Sequence, residues 1–266
     1  MGSFYDEICS YENIKWSFDF LGKKNRHAGP DGIKWEDILE NQKIYLNNLV
    51  YELNSKTYMP SPDIIMKKPY YPGSDKILYY VEMNIREKIV EYAIKRHLYP
   101  LFEDIFIDFS CAYRKGKGEK CVTQLIQNYI ELGKNWFISL DIKSFFKSID
   151  QVMLVQLLLE IITDNDVIDL LKKCLGLNES FGIPAGHVLS PLLSNFYLYK
   201  IDYKLFENKI PTIRYADNYC FVSSNKNDLI YSEKLLEALL SEYGLTLNIN
   251  KTKIVYRPYD YTELII

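Results

Sequence analysis

Apolar residues recur at helical spacing through much of the chain. Ile38, Leu39, Leu46, Leu49, Val50 and Leu53 predict a helix over 36–54. Val81, Ile85, Ile89, Ala93, Ile94 and Leu98 predict another over 81–99, which Pro100 should end. Further helices are expected at 122–132, 151–162, 166–175, 188–207 and 227–243. Strand signals are shorter. Trp136-Phe137-Ile138-Ser139-Leu140 is apolar on both faces, as a central strand is. Residues 212–222 alternate about a tight turn, and a last strand pair is expected near 246–257. Pro60, Pro62, Pro69, Pro72 and Gly73 break the 60–80 stretch into a hairpin and loops. Arg26-His27-Ala28-Gly29-Pro30-Asp31-Gly32 reads as a loop, and Ala112-Tyr113-Arg114-Lys115-Gly116-Lys117-Gly118 as a short basic turn. With helices in the majority and the strands short and separated, the expected class is α+β.

Composition narrows the picture. The chain has 266 residues, 48% of them apolar and 25% charged, which excludes a disordered or collagen-like chain and allows a sizeable core. There is no repeat, no linker and no apolar run long enough to cross a membrane. The start, MGSFYDEICS, is not a secretory signal, and Asp6 stands where a myristoylation signal needs Ser or Thr. Cys9, Cys111, Cys121, Cys174 and Cys220 form no C-x-x-C pair, so no disulfide framework is expected and a reducing cytoplasm fits. The 23 tyrosines suit stacking and half-wet interfaces. A net charge of −3 means that any nucleic-acid function must work through local patches or a partner.

Three segments carry candidate chemistry. In Phe137-Ile138-Ser139-Leu140-Asp141, period-2 alternation puts Phe137, Ser139 and Asp141 on one face. An acid closing a buried strand must be paired, metal-bound or used as a helix N-cap. In Ile213-Arg214-Tyr215-Ala216-Asp217-Asn218-Tyr219-Cys220-Phe221-Val222, two apolar arms flank Asp217-Asn218, which suit a two-residue turn and put Asp217 at a hairpin tip. Simple turn chemistry also explains that pair. Gly182-Ile183-Pro184-Ala185-Gly186 leads into an apolar helix, where backbone N–H groups can lie close to a flat ligand or merely begin a helix. Two carboxylates from adjacent strand ends are what two-metal phosphoryl transfer requires.

Strand-Asp, then Gly-Ile-Pro-x-Gly, then Tyr-Ala-Asp, in that order, resembles the palm of reverse transcriptases, with bacterial group II intron, retron and defence-associated enzymes nearest. Ala28-Gly29-Pro30-Asp31-Gly32, Ile85-Arg86-Glu87-Lys88-Ile89-Val90 with Leu101-Phe102-Glu103, the basic turn from Ala112, and Gly244-Leu245-Thr246-Leu247-Asn248 with Lys251-Thr252-Lys253 resemble further motifs of that family, in its order. The resemblance implies a right-hand fragment: fingers over 1–135, with 151–181 returning to them, a palm over 136–266 with a small antiparallel sheet, and no recognisable thumb. It implies RNA-directed DNA polymerisation by two-metal phosphoryl transfer. Asp141, Asp217 and the Ile142 carbonyl would hold two Mg²⁺ ions, with Mn²⁺ as the substitute. Phe146 would be the aromatic gate against a ribose 2′-OH. Arg114 and Lys115 would meet the triphosphate or template, with Lys67, Lys68 and Lys76 as weaker candidates. Ala185 and Gly186 would lie near the incoming nucleotide, and Lys251 would protonate the departing pyrophosphate. The implied partners are dNTPs, an RNA template, a nucleic-acid or protein primer, and a non-coding RNA or protein subunit in place of the thumb.

The sequence departs from the family at three points. Asn218 stands where a second Asp is usual, Ala185 where Gln is usual, and His187-Val188 replaces the expected continuation. His187 reads as a phosphate or base contact or as a polar residue at a helix start. These departures resemble the divergent defence and abortive-infection enzymes. They leave a second reading open: a catalytically weak or inactive reverse-transcriptase-like subunit that binds RNA or a partner polymerase.

Overall fold

The computed structural model describes residues 2–24, 27–69, 75, 77–258 and 264. In chain order the elements are α1 (Phe4–Ile8), α2 (Tyr11–Lys24), α3 (Trp35–Glu40), α4 (Gln42–Asn54), β1 (Ile64–Pro69), β2 (Ile77–Glu82), α5 (Ile85–Glu103), α6 (Glu119–Glu131), β3 (Trp136–Asp141), α7 (Phe145–Ser148), α8 (Gln151–Ile161), α9 (Asn165–Leu175), α10 (Ser190–Tyr197), α11 (Tyr199–Glu207), β4 (Thr212–Tyr215), β5 (Asn218–Ser223), α12 (Lys226–Glu242) and β6 (Lys253–Tyr256), with a 3₁₀ turn at Ile249–Lys251 before β6. The mixed helix-and-sheet class expected from the periodicity is the one observed.

The chain packs as two units. The first joins Met1–Leu101 to Val155–Ser190. Its core is helical: Ile14, Phe18 and Leu21 of α2, Leu46, Leu49 and Leu53 of α4, and Ile89, Ala93 and Ile94 of α5 are all buried. The α9 helix buries Val167, Ile168, Leu170, Leu171, Cys174 and Leu175 on one stripe, begins on an Asp164 cap and ends on left-handed Gly176. The β1–β2 hairpin pairs Ile64 with Glu82 through Pro69 with Ile77. Lys67 and Lys68 are exposed on it, whereas Lys76 falls outside the described residues.

The second unit joins Phe102–Leu154 to Pro191–Ile266. Residues 102–135, expected with the N-terminal part, belong here because α6 lays Val122 and Ile126 onto Phe137, Ile213, Cys220 and Val222 of the sheet. The sheet is antiparallel in the order β4-β5-β3-β6, so β3 is central, as its doubly apolar sequence requires. The other face of the sheet, carrying Arg214 and Tyr219, meets the fully buried Asp202 of α11.

Several expectations are corrected. Pro100 lies inside the last turn of α5, where its missing N–H costs a single bond. Val81 belongs to β2, and α5 starts at Ile85. The 36–54 helix is split at Asn41, and the 188–207 helix at Leu198. The expected strand pair at 246–257 is one strand, β6, preceded by an isolated bridge from Leu247 to Ile142. Cys111 and Cys121 form a disulfide with Cα atoms 5.7 Å apart, which the absence of a C-x-x-C pattern had argued against. Their separation of ten residues is closed by the turn around Gly118, whose N–H donates to the Cys111 carbonyl.

Candidate active site

The two acids far apart in the chain meet in the second unit. Asp141 ends β3 directly opposite Asn218, the first residue of β5. The Ile142 N–H donates to the Asp217 carbonyl at 3.3 Å, which ties the strand end to the hairpin tip. Burial, and then the neighbouring Asp141 carboxylate, hold the Asp217 carboxyl above the usual range.

The turn differs in detail from the expected Asp217-Asn218. Tyr215 pairs with Asn218, so its two central residues are Ala216 and Asp217. The positive φ, +56°, falls on Ala216. A non-glycine residue in that region costs about 1 kcal/mol and persists only where its surroundings fix it.

Asp141 is 6% exposed and is bonded three times by two residues of the segment after α12. Lys251 Nζ lies 2.9 Å from Oδ1, Asn248 Nδ2 donates to Oδ2 at 3.2 Å, and the Asn248 N–H donates to the Asp141 carbonyl at 2.7 Å. Asp141 therefore does not serve as the N-cap of α7. Ser144 takes that position, with left-handed backbone. Asn248 carried no role in the sequence reading, although the motif containing it was singled out. Asn218 Oδ1 is buried and has no hydrogen-bond partner. Asn218 lies opposite Asp141 and follows Asp217 in the chain, so the donors that this corner offers are oxygens, which is the chemistry a hard divalent cation takes. No group of three or more His, Cys, Asp or Glu side chains suited to a metal occurs among the described residues.

Phe146 follows on α7, half-buried and edge-on to the buried Phe145 at 5.8 Å. Arg114 is corrected. Its guanidinium turns inward, with Nε and Nη2 on Glu103 and Nη1 on the Ile107 and Ser110 carbonyls at 2.7 and 2.9 Å. With that engagement and 8% exposure it shapes the 103–114 segment and has no donor left for a phosphate. Lys115, next to it, is exposed.

Ala185, Gly186 and His187 belong to the first unit. The Ala185 carbonyl accepts the Val81 N–H at 2.7 Å, and a Cβ on Gly186 would lie 2.3 Å from the Val81 carbonyl, so only glycine fits that contact. His187 is buried, with Nδ1 2.5 Å from Glu91 and Nε2 3.1 Å from Asp63. Glu91 also accepts the Leu189 N–H at 3.1 Å. Burial alone would lower the His187 pKa, but the bonds and charges of Glu91 and Asp63 outweigh it and raise the pKa. His187 is thus a buried, paired residue that fastens the loop to α5, which resolves the two readings the sequence left open.

Comparison with known proteins matches residues 67–266 to the family described as reverse transcriptase (RNA-dependent DNA polymerase). The chain is 32% identical over 214 residues to the putative COX1/OXI3 intron 2 protein of Saccharomyces cerevisiae, an alignment covering 76% of this chain and 23% of that one. It is 30% identical over 192 residues to the group II intron-encoded protein LtrA of Lactococcus lactis subsp. cremoris, covering 67% of this chain and 31% of that one. It therefore spans about a quarter to a third of these relatives' length. Among solved structures, apo telomerase from Candida tropicalis superposes with a TM-score of 0.53 at 12% identity, covering 80% of this chain and 49% of that one. A Cas6-RT-Cas1–Cas2 complex superposes with a TM-score of 0.50 at 20% identity, covering 91% and 26%. These likenesses concern the fold.

Proposed function

The chain belongs to the reverse transcriptase (RNA-dependent DNA polymerase) family, and from that premise we propose that it carries the catalytic part of an RNA-directed DNA polymerase. The observation that supports this reading is the meeting of Asp141 and Asp217 at one end of a four-stranded sheet, with the unpartnered Asn218 oxygen beside them.

In the reaction, a primer 3′-hydroxyl attacks the α-phosphorus of a dNTP and pyrophosphate departs. Asp141, Asp217, Asn218 Oδ1 and the Ile142 carbonyl would hold the divalent cations, two Mg²⁺ with Mn²⁺ able to substitute. When bound, such ions supply charge stabilisation to the attacking and leaving oxygens. Lys251 is the proton donor for the pyrophosphate, a step worth about 10²–10⁴-fold. Phe146 stands over the sugar and excludes a 2′-OH. Lys115 contacts the nucleotide. We assign the first unit to the fingers and the second to the palm. The template is RNA, and the primer is a nucleic acid or a protein. A net charge of −3 calls for an RNA or protein partner that supplies grip on the product duplex. A cytoplasmic antiviral system is the setting that best suits such a divergent enzyme. No helix among the described residues is long and apolar enough to cross a membrane.

The test is incorporation of labelled dNTPs onto primed RNA with Mg²⁺ or Mn²⁺. Asp141→Ala should abolish it, and Phe146→Ala should admit ribonucleotides that wild type refuses. Equal incorporation by wild type and Asp141→Ala would remove the polymerase reading and favour the RNA-binding subunit that Asn218 also suits.

A further inference from the structure

Arg214 sits at the centre of β4 with no exposed surface, and its partner Asp202 on α11 has none either. Nε donates to both Asp202 oxygens at 2.8 and 3.0 Å, and Nη2 to Oδ2 at 2.5 Å. The Tyr219 hydroxyl donates to the same carboxylate at 2.8 Å. The remaining amine, Nη1, makes two further bonds: to Asn195 Oδ1 on α10 at 2.9 Å and to the Ala216 carbonyl at 2.8 Å. Asn195 is itself held, donating from Nδ2 to the Ala112 carbonyl at 2.7 Å. The main chain of Arg214 is fixed too. Its N–H donates to Phe109, and its carbonyl accepts from Cys111, both at 2.8 Å.

Nη1 takes no part in the ion pair with Asp202, and of the two acceptors that satisfy it one is the main chain of the acidic turn. Buried pairs of this kind add little stability over well-packed apolar residues of the same volume. The Nη1 bond to Ala216 reaches the one residue of the acidic turn with left-handed backbone, φ +56°. The next residue is Asp217, whose carbonyl is held from the other side by the Ile142 N–H. The turn is therefore gripped at two successive carbonyls, and one of the grips comes from a guanidinium fixed by two helices, α10 and α11.

We propose that Arg214, braced by Asp202, Asn195 and Tyr219, is a positioning residue that sets the Ala216–Asp217 turn and so aims the Asp217 carboxylate at Asp141. It does not touch substrate. The proposal rests on the polymerase reading for its effect on rate, but not for its effect on the turn.

The test replaces the pair without leaving a buried charge. In full-length protein, the triple variant Arg214→Met/Asp202→Leu/Tyr219→Phe should melt within about 5 °C of wild type, because a buried pair exchanged for apolar groups of similar volume is near neutral. Its kcat should fall about 10- to 100-fold, with the KM for dNTP changed less than about threefold. A crystal structure of the variant should show the Ala216–Asp217 turn displaced. Arg214→Lys, which keeps the charge on Asp202 but cannot reach Asn195 and Ala216 together, should show the same split. Adding Ala216→Gly to it should recover much of the loss, since glycine adopts the left-handed turn unaided. An unmoved turn with unchanged kcat overturns the proposal, as does a fall in kcat that follows melting temperature and is not rescued by Ala216→Gly. The underlying reading fails differently: wild type then incorporates no more dNTP than Asp141→Ala, while the turn geometry still decides the role of Arg214.

Discussion

At Asn218, a single atom separates this chain from a site with three carboxylates. The residue faces Asp141 across the β3–β5 pair, and its Oδ1 lacks a partner. Asn218→Asp would add a negative charge beside Asp141 and Asp217, and the Asp217 carboxyl is already pushed up by burial and by that neighbour. Without divalent ions the variant should lose about 1–3 kcal/mol of stability from like-charge repulsion in a partly buried place. With Mn²⁺ added it should recover more than wild type gains, and the ion concentration for half-maximal stabilisation should drop several-fold. Thermal melts at stepped Mn²⁺ concentrations measure both effects. Identical responses of the two proteins to the ion would mean that residue 218 does not face it.

The loop from Gly182 to Leu189 shows how an element is held by charge. His187 faces Glu91 of α5 and Asp63 ahead of β1, while Glu82 and Glu87 line the same small cavity of about 10 Å³. Its folded pKa is raised above the ordinary value. Such a group contributes stability that is fully present below its unfolded pKa of about 6.5 and is lost as pH rises through the folded value. His187→Gln should therefore cost about 1–3 kcal/mol at pH 6 and progressively less towards pH 9. Denaturant melts across that range check it, and a constant difference would rule the linkage out. The sequence showed this loop and its glycines, but neither of its acidic anchors, because Asp63 and Glu91 come from remote segments that no local pattern connects. The same distinction runs through the rest of the molecule. Periodicity located β3, the β4–β5 hairpin and most helices, since each follows from residues adjacent in the chain. It missed the break at Leu198 and the inward turn of Arg114, which depend on Glu103 and on packing around the sheet. Asp141 and Asp217 were legible as a pair only through the order of the motifs. Their fastening by Asn248, Lys251 and Arg214 was not, though a charged residue within the short apolar arm of β4 was a signal to follow.

Over the whole molecule, each unit is assembled from two stretches of chain, with 155–190 returning to the N-terminal part. A protein begun at Phe102 would keep α9 and lose the residues 1–101 that complete its unit. The apolar stripe of Val167, Ile168, Leu170, Leu171, Cys174 and Leu175 would then be exposed. Fragment 102–266 should bind a hydrophobic dye strongly and self-associate, whereas the full chain should do neither; a monodisperse, non-binding fragment would contradict this arrangement. The position of Lys251 and β6 at the far end of the second unit also has a temporal side. As the ribosome delivers the chain, β3 emerges more than a hundred residues before the strand that closes its other edge, and Asp141 waits through that interval for Asn248 and Lys251. A product interrupted ahead of Asn248 would carry the acid without its fastenings, so the reactive corner cannot be finished before the chain has been made as far as Lys251.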